Sequence, residues 1–114
     1  MSRRDPRDHL PLTPLSLAIL MEVAEAPLHG YAILRAIESR PGPLLTRGAG
    51  SLYAALQRMV DDGLLREVEA GDDVRRRRAF AMTPLGRAVA EAEMGRLQAE
   101  LRVGRQRRLL PEGA

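Results

Sequence analysis

Apolar residues recur at helical spacing in four stretches of the chain and alternate with polar ones in two. Thr13-Pro14 sets a capping hydroxyl before a proline at the first helical position, predicting a helix to about Glu25 that Pro27 stops. Leu15, Ala18, Ile19, Met21, Val23 and Ala24 leave it little polar face. Such a helix needs cover on several sides, more than so small a domain offers, which points to a second subunit. Leu28-His29-Gly30-Tyr31 opens a second helix running to about Ser39, with Tyr31, Ile33, Leu34 and Ile37 inward and Arg35, Glu38 and Arg40 outward. Pro41-Gly42-Pro43 ends it, and Leu44-Leu45-Thr46 reads as a connector or a very short strand. A third helix is expected over Ala49 to Asp62, with Gly48 at its N-cap and Gly63 closing it in a left-handed conformation.

Leu64 to Glu69 and Val74 to Met82 are strand-like runs about the turn-forming Ala70-Gly71-Asp72-Asp73. In the second run, period two puts Arg76, Arg78, Phe80 and Met82 on one face and Arg77, Ala79 and Ala81 on the other. Thr83-Pro84 repeats the helix-start device, and the last helix extends to about Arg107. It carries two apolar lines: Leu85, Val89 and Ala92 form one, and Ala90, Met94, Leu97 and Leu101 the other. That is more apolar surface than one small core uses.

Helix, helix, helix, hairpin, helix is the order of a winged helix-turn-helix, in which the third helix enters the major groove and the hairpin lies along the backbone. The expected fold class is mainly α with a small β-hairpin. Residues 1–12 form a flexible arm, 13–83 the winged helix-turn-helix domain, and 84–110 a C-terminal dimerisation helix. The third helix suits the central role. Leu52, Leu56, Met59 and Val60 fall on one side of it, while Gly50, Ala54, Gln57 and Asp61 fall opposite, flanked by Ser51, Tyr53 and Arg58. A solvent-facing helix is normally crowded with long charged side chains. Here the outer face opens with small residues, as clearance for something bulky such as DNA.

Composition sharpens parts of this picture. The 114 residues allow one domain with a modest core. With aromatics at only 3% and no tryptophan, that core is aliphatic. All 18 basic residues are arginines, yet 15 acids hold the net charge to +3, so local clustering at Arg75 to Arg78 says more than the total. The absence of cysteine excludes disulfides and thiolate chemistry and suits a reducing cytoplasm. The apolar run from Leu15 to Ala24 contains Glu22 and is too short to span a bilayer. His29 stands alone in a helix-start context, without the clustered ligands a metal needs. No Ser/His/Asp constellation or phosphate-cradling glycine loop is present, so neither an enzyme nor a cofactor is expected.

Several motifs converge on one family: Leu28-His29-Gly30-Tyr31, Gly50-Ser51-Leu52-Tyr53 with Ala55-Leu56, Asp62-Gly63-Leu64-Leu65, Arg77-Arg78, and Met82-Thr83-Pro84-Leu85-Gly86-Arg87. In this order the chain resembles the PadR-like family of bacterial transcriptional regulators over roughly Leu12 to Leu101. The resemblance implies a cytoplasmic homodimeric DNA-binding protein, often a repressor, whose last helix pairs with its counterpart and packs near the first helix. It leaves open a small hydrophobic effector between the subunits, although no tryptophan is available to stack on one. The chain departs from the family pattern at Gly48-Ala49, where Ser-Pro is common, at Ala54, where proline is common, and at Ala79-Phe80, where two tyrosines follow the basic pair.

The candidate DNA contacts are Ser51, Tyr53, Gln57 and Arg58 on the third helix, Arg47 before it, and Arg76, Arg77 and Arg78 on the wing. Arginine pairs bidentately with guanine and glutamine with adenine, whereas hydroxyls and wing arginines hold phosphates. Tyr53 serves equally as half of the core, Arg58 as a partner for Asp62, and the arginine run as a solvated stretch neutralised by Glu67, Glu69, Asp72 and Asp73. Leu17, Met21, Met94, Leu97 and Leu101 are the dimer-interface candidates, with intrachain core as their alternative. The expected function is a regulator, a repressor, binding double-stranded DNA at a pseudo-palindromic operator as a homodimer. The alternative is a winged-helix module that binds a protein instead.

Overall fold

The computed structural model describes residues 4–41, 49–69 and 78–111. Helix α1 spans Pro14–Glu22, and Thr13 caps it as expected, its hydroxyl accepting from Ser16 N at 3.1 Å. The helix stops three residues short of Glu25. Ala18, Ile19, Leu20 and the following Val23 are buried, while Met21 is exposed.

Leu28–His29 differs from expectation. These residues form a two-residue strand, β1, and helix α2 begins only at Gly30, running to Glu38. Their partner is distant in sequence: Leu28 pairs with Phe80 and His29 with Ala79, so β1 belongs to the same sheet as the hairpin. Arg40 likewise does not face solvent freely. It is tied to Glu22 at the end of α1, donating from Nε at 3.0 Å and Nη2 at 2.6 Å.

Helix α3 covers Ala49–Asp61 and seats Leu52, Ala55, Leu56 and Met59 in the core, with Val60 half-buried. Its end is a Schellman motif. Gly63 takes a φ of 81°, its N–H bonds Val60 O at 3.0 Å, and Leu64 N bonds Met59 O at 2.9 Å. Leu64 and Met59 both lie in the core beneath this turn.

Strands β2, Leu65–Glu69, and β3, Arg78–Met82, are antiparallel, in the sheet order β1-β3-β2. β3 is therefore central. Ala79, Phe80 and Ala81 are all buried, so both faces of the strand are covered and the in-out alternation of an open hairpin is lost. Helix α4, Pro84–Gln106, starts from a doubly used cap. The Thr83 hydroxyl accepts from Gly86 N at 2.9 Å and donates to Gly63 O at 2.6 Å, fastening α4 to the end of α3. At Gly86 a Cβ would lie 2.1 Å from the Leu64 carbonyl oxygen, so only glycine lets α4 sit this close.

The segment expected as a flexible arm also differs. Pro6–His9 form a 3-10 turn capped by Asp5, His9 is buried, and the turn lies against α4. Leu10 and Leu12 pack onto the core, and Leu12 N donates to Glu93 Oε2 on α4 at 2.8 Å. Apolar side chains at positions 10 and 12 and a backbone N–H with a buried acceptor hold the strand of chain before α1 in place.

Candidate nucleic-acid interface

The outer face of α3 carries Gly50, Ser51, Tyr53, Ala54, Gln57, Arg58 and Asp61, all exposed. A Cβ on Gly50 would meet nothing within 4 Å, so the small residue there answers to no neighbour inside the chain. From Gly50 to Gln57 this face bears no charge, and its polar groups are one serine, one tyrosine and one glutamine.

Tyr53 has two roles at once. It is 41% exposed, yet its ring lies over Gly30, where a Cβ would come within 2.6 Å of Cε1 and 2.9 Å of the hydroxyl oxygen. Gly30 thus lets α2 and α3 close on each other, and the tyrosine hydroxyl ends at the first turn of α2. Gln57 is bonded at both ends of its amide: Nε2 donates to Asp61 Oδ1 at 3.0 Å, and Oε1 accepts from Arg78 Nη2 at 3.4 Å.

Arg78, expected as a phosphate clamp, is engaged within the chain. Its Nε donates to Glu67 Oε2 at 3.1 Å, its Nη2 donates to Glu67 Oε1, and its guanidinium lies 5.7 Å from the centre of the Phe80 ring. The Glu67 carboxylate raises the Arg78 pKa above its ordinary value. Arg47, Arg76 and Arg77 lie outside the described residues. At the far end of α3 and on the adjoining strands Asp61, Asp62, Glu67 and Glu69 stand among Arg58, Arg66 and Arg78, so charges of both signs are interspersed there.

The dimer candidates separate into two groups. Leu17 and Leu97 are half-buried, whereas Met21, Met94 and Leu101 are 37%, 41% and 50% exposed. Leu20, Met21, Ala24, Ala90 and Met94 line an apolar groove of about 410 Å³ between α1 and α4. Beyond Glu93 no residue of α4 is buried, and Val103 adds to its exposed apolar side chains.

Three further side chains bear on the fold and the site. Tyr31, expected to face inward with Ile33, Leu34 and Ile37, is instead 54% exposed, because its hydroxyl accepts from Arg35 Nη1 at 3.0 Å, one turn on along the outer face, and the guanidinium lies 5.7 Å from its ring centre. His29 Nδ1 is buried with no hydrogen-bond partner among the described residues. Glu93 is a carboxylate only 1% exposed, held by Leu12 N and by Arg96. Among the described residues, no cluster of histidine, aspartate and glutamate could hold a metal, and no helix is long and apolar enough to cross a membrane.

The family described as "Transcriptional regulator PadR-like family" matches residues 19–92. An uncharacterized 37.1 kDa transposon protein of Streptomyces fradiae is 44% identical over 75 residues, which is 66% of this chain and 20% of that protein. The chain thus spans about a fifth of that relative's length. A PadR family transcription regulator from Clostridium difficile superposes with a TM-score of 0.71 at 21% identity, covering 81% of this chain and 95% of the other. The PadR of Bacillus subtilis, solved in complex with operator DNA, gives 0.64 at 19% identity and covers 74% and 47%.

Proposed function

Because the chain belongs to the PadR-like family of transcriptional regulators, we propose that it binds double-stranded DNA as a homodimer, recognises a pseudo-palindromic operator and represses transcription there. The observation that carries this reading is the outer face of α3. It is anchored through Leu52, Leu56 and Met59, yet presents Gly50, with open space above it, and the exposed Ser51 and Ala54, with Gln57 and Arg58 beside them. A helix so placed meets the shape requirement of the major groove and brings two base-reading side-chain types to it. Ser51 and the Tyr53 hydroxyl suit phosphates, as do Arg47, Arg76 and Arg77 on sequence grounds. On this reading the second copy of the chain covers the groove lined by Met21 and Met94 and the exposed Leu101, with the half-buried Leu17 and Leu97 as further candidates.

The deciding experiment selects bound fragments from genomic DNA with purified protein. The expected product is a motif with two inverted half-sites, one per subunit. Affinity for that motif falls steeply with added salt, because each phosphate neutralised by arginine releases counterions. A protein-interaction module instead enriches no sequence, and that result overturns the DNA reading.

A further inference from the structure

Four side chains form a chain of hydrogen bonds across the surface where α3 meets the hairpin: Asp61, Gln57, Arg78 and Glu67. We propose that Asp61 and Arg78 are positioning residues that lock the Gln57 amide in one orientation, making it the reader of an adenine in each half-site. This inference rests on the reading of α3 as the helix that faces DNA.

A primary amide has two N–H donors on nitrogen and two lone pairs on oxygen, and a free glutamine can rotate to exchange them. At Gln57 the exchange is blocked from both ends. Asp61 is a carboxylate and can only accept, so it demands the nitrogen; Arg78 is a guanidinium and can only donate, so it demands the oxygen. A flipped amide would set oxygen against carboxylate and N–H against guanidinium. The two bonds use one donor and one lone pair, leaving one of each on an exposed side chain. One donor and one acceptor are what adenine completes, with N7 accepting and its N6 amino group donating. Guanine offers two acceptors at the same edge and leaves the glutamine oxygen facing another oxygen.

Arg78 is suited to hold rather than to clamp. Its guanidinium is bound to Glu67 through two nitrogens and stacks over Phe80, a ring fully buried in the core. The strand therefore fixes where the donor to Gln57 sits. Pairing with Glu67 also offsets the charge that a phosphate contact would use. Arg78 thus has its task inside the protein.

The test is a selection from a randomised duplex library, using wild type, Gln57→Ala, Arg78→Met and Asp61→Ala, with salt titrations on the recovered motif. Wild type is expected to prefer A·T at one position of each half-site by about tenfold or more over G·C. Gln57→Ala removes that preference and leaves the other positions intact. Arg78→Met and Asp61→Ala reduce it at the same position, and Arg78→Met leaves the salt slope unchanged. Two results overturn the proposal. One is a motif unaltered by Gln57→Ala. The other is an Arg78→Met protein that keeps the A·T preference but binds every sequence more weakly, with a salt slope smaller by about one, as loss of a phosphate contact predicts. Failure of wild type to enrich any motif removes the DNA reading itself, and with it this inference.

Discussion

Two arginine–glutamate pairs use the same chemistry in opposite settings. Glu93, on α4, is 1% exposed and bonded to Arg96 at 2.5 Å and 3.2 Å; Glu67, on β2, is 40% exposed and bonded to Arg78, itself 54% exposed. A buried carboxylate is tolerated only when its oxygens are satisfied. Glu93 meets that condition with the guanidinium on one side and the Leu12 N–H on the other, so the pair also ties the chain before α1 to α4. Glu67 and Arg78 are both open to water, so their pairing contributes little to stability. The buried pair holds the fold together, while the surface pair is free to orient a neighbouring side chain.

Removing the buried carboxylate is the sharpest way to break the contrast. Glu93→Ala leaves the Leu12 N–H without its acceptor and opens space against α4, at an expected cost of about 2–3 kcal/mol. Thermal and denaturant unfolding measure this, and a loss below about 0.5 kcal/mol would show that the segment before α1 draws nothing from this bond.

Acid distinguishes the pairs in a second way. The Arg96 hydrogen bond, helped by the Leu12 N–H and opposed by burial, holds the Glu93 carboxyl below its ordinary value of 4.5. A carboxyl whose pKa is lower in the folded state contributes stability above its unfolded value and loses it as pH falls through the folded one. Wild type should therefore lose stability below about pH 4.5 more steeply than Glu93→Gln, whose amide still accepts from Leu12 but does not titrate. Parallel acid limbs for the two proteins would count against the assignment.

What could be read in the sequence was what neighbouring residues determine. Thr13 and Thr83 cap the helices named for them, Gly63 takes the left-handed turn, and Leu52, Leu56 and Met59 face the core, each set by spacing within a few residues. What was missed depends on distant partners. Leu28–His29 is strand only because Phe80 and Ala79 pair with it from the hairpin. Glu93 has its backbone donor only because the chain before α1 returns to α4 at Leu12, and no pattern inside the last helix marks it. The same limit applies to the candidate site. Spacing placed Gln57 on the outer face of α3, but its bond to Arg78 spans 21 residues and depends on the register that sets Glu67 opposite Phe80. An arginine in a run of four looks alike whether it meets a phosphate or a carboxylate across the strand.

The smallest expected effect tests the other side of the contrast. Arg78→Met keeps an unbranched side chain of similar reach but removes the guanidinium from Glu67, Gln57 and the Phe80 ring. Glu67, being 40% exposed, then hydrates, so the stability change should stay within about 1 kcal/mol. A loss matching that of Glu93→Ala would mean the surface pair carries the sheet, and Arg78 would then act through folding instead of through Gln57. A near-zero change, combined with an altered preference at one base pair, leaves orientation of the amide as what Arg78 contributes.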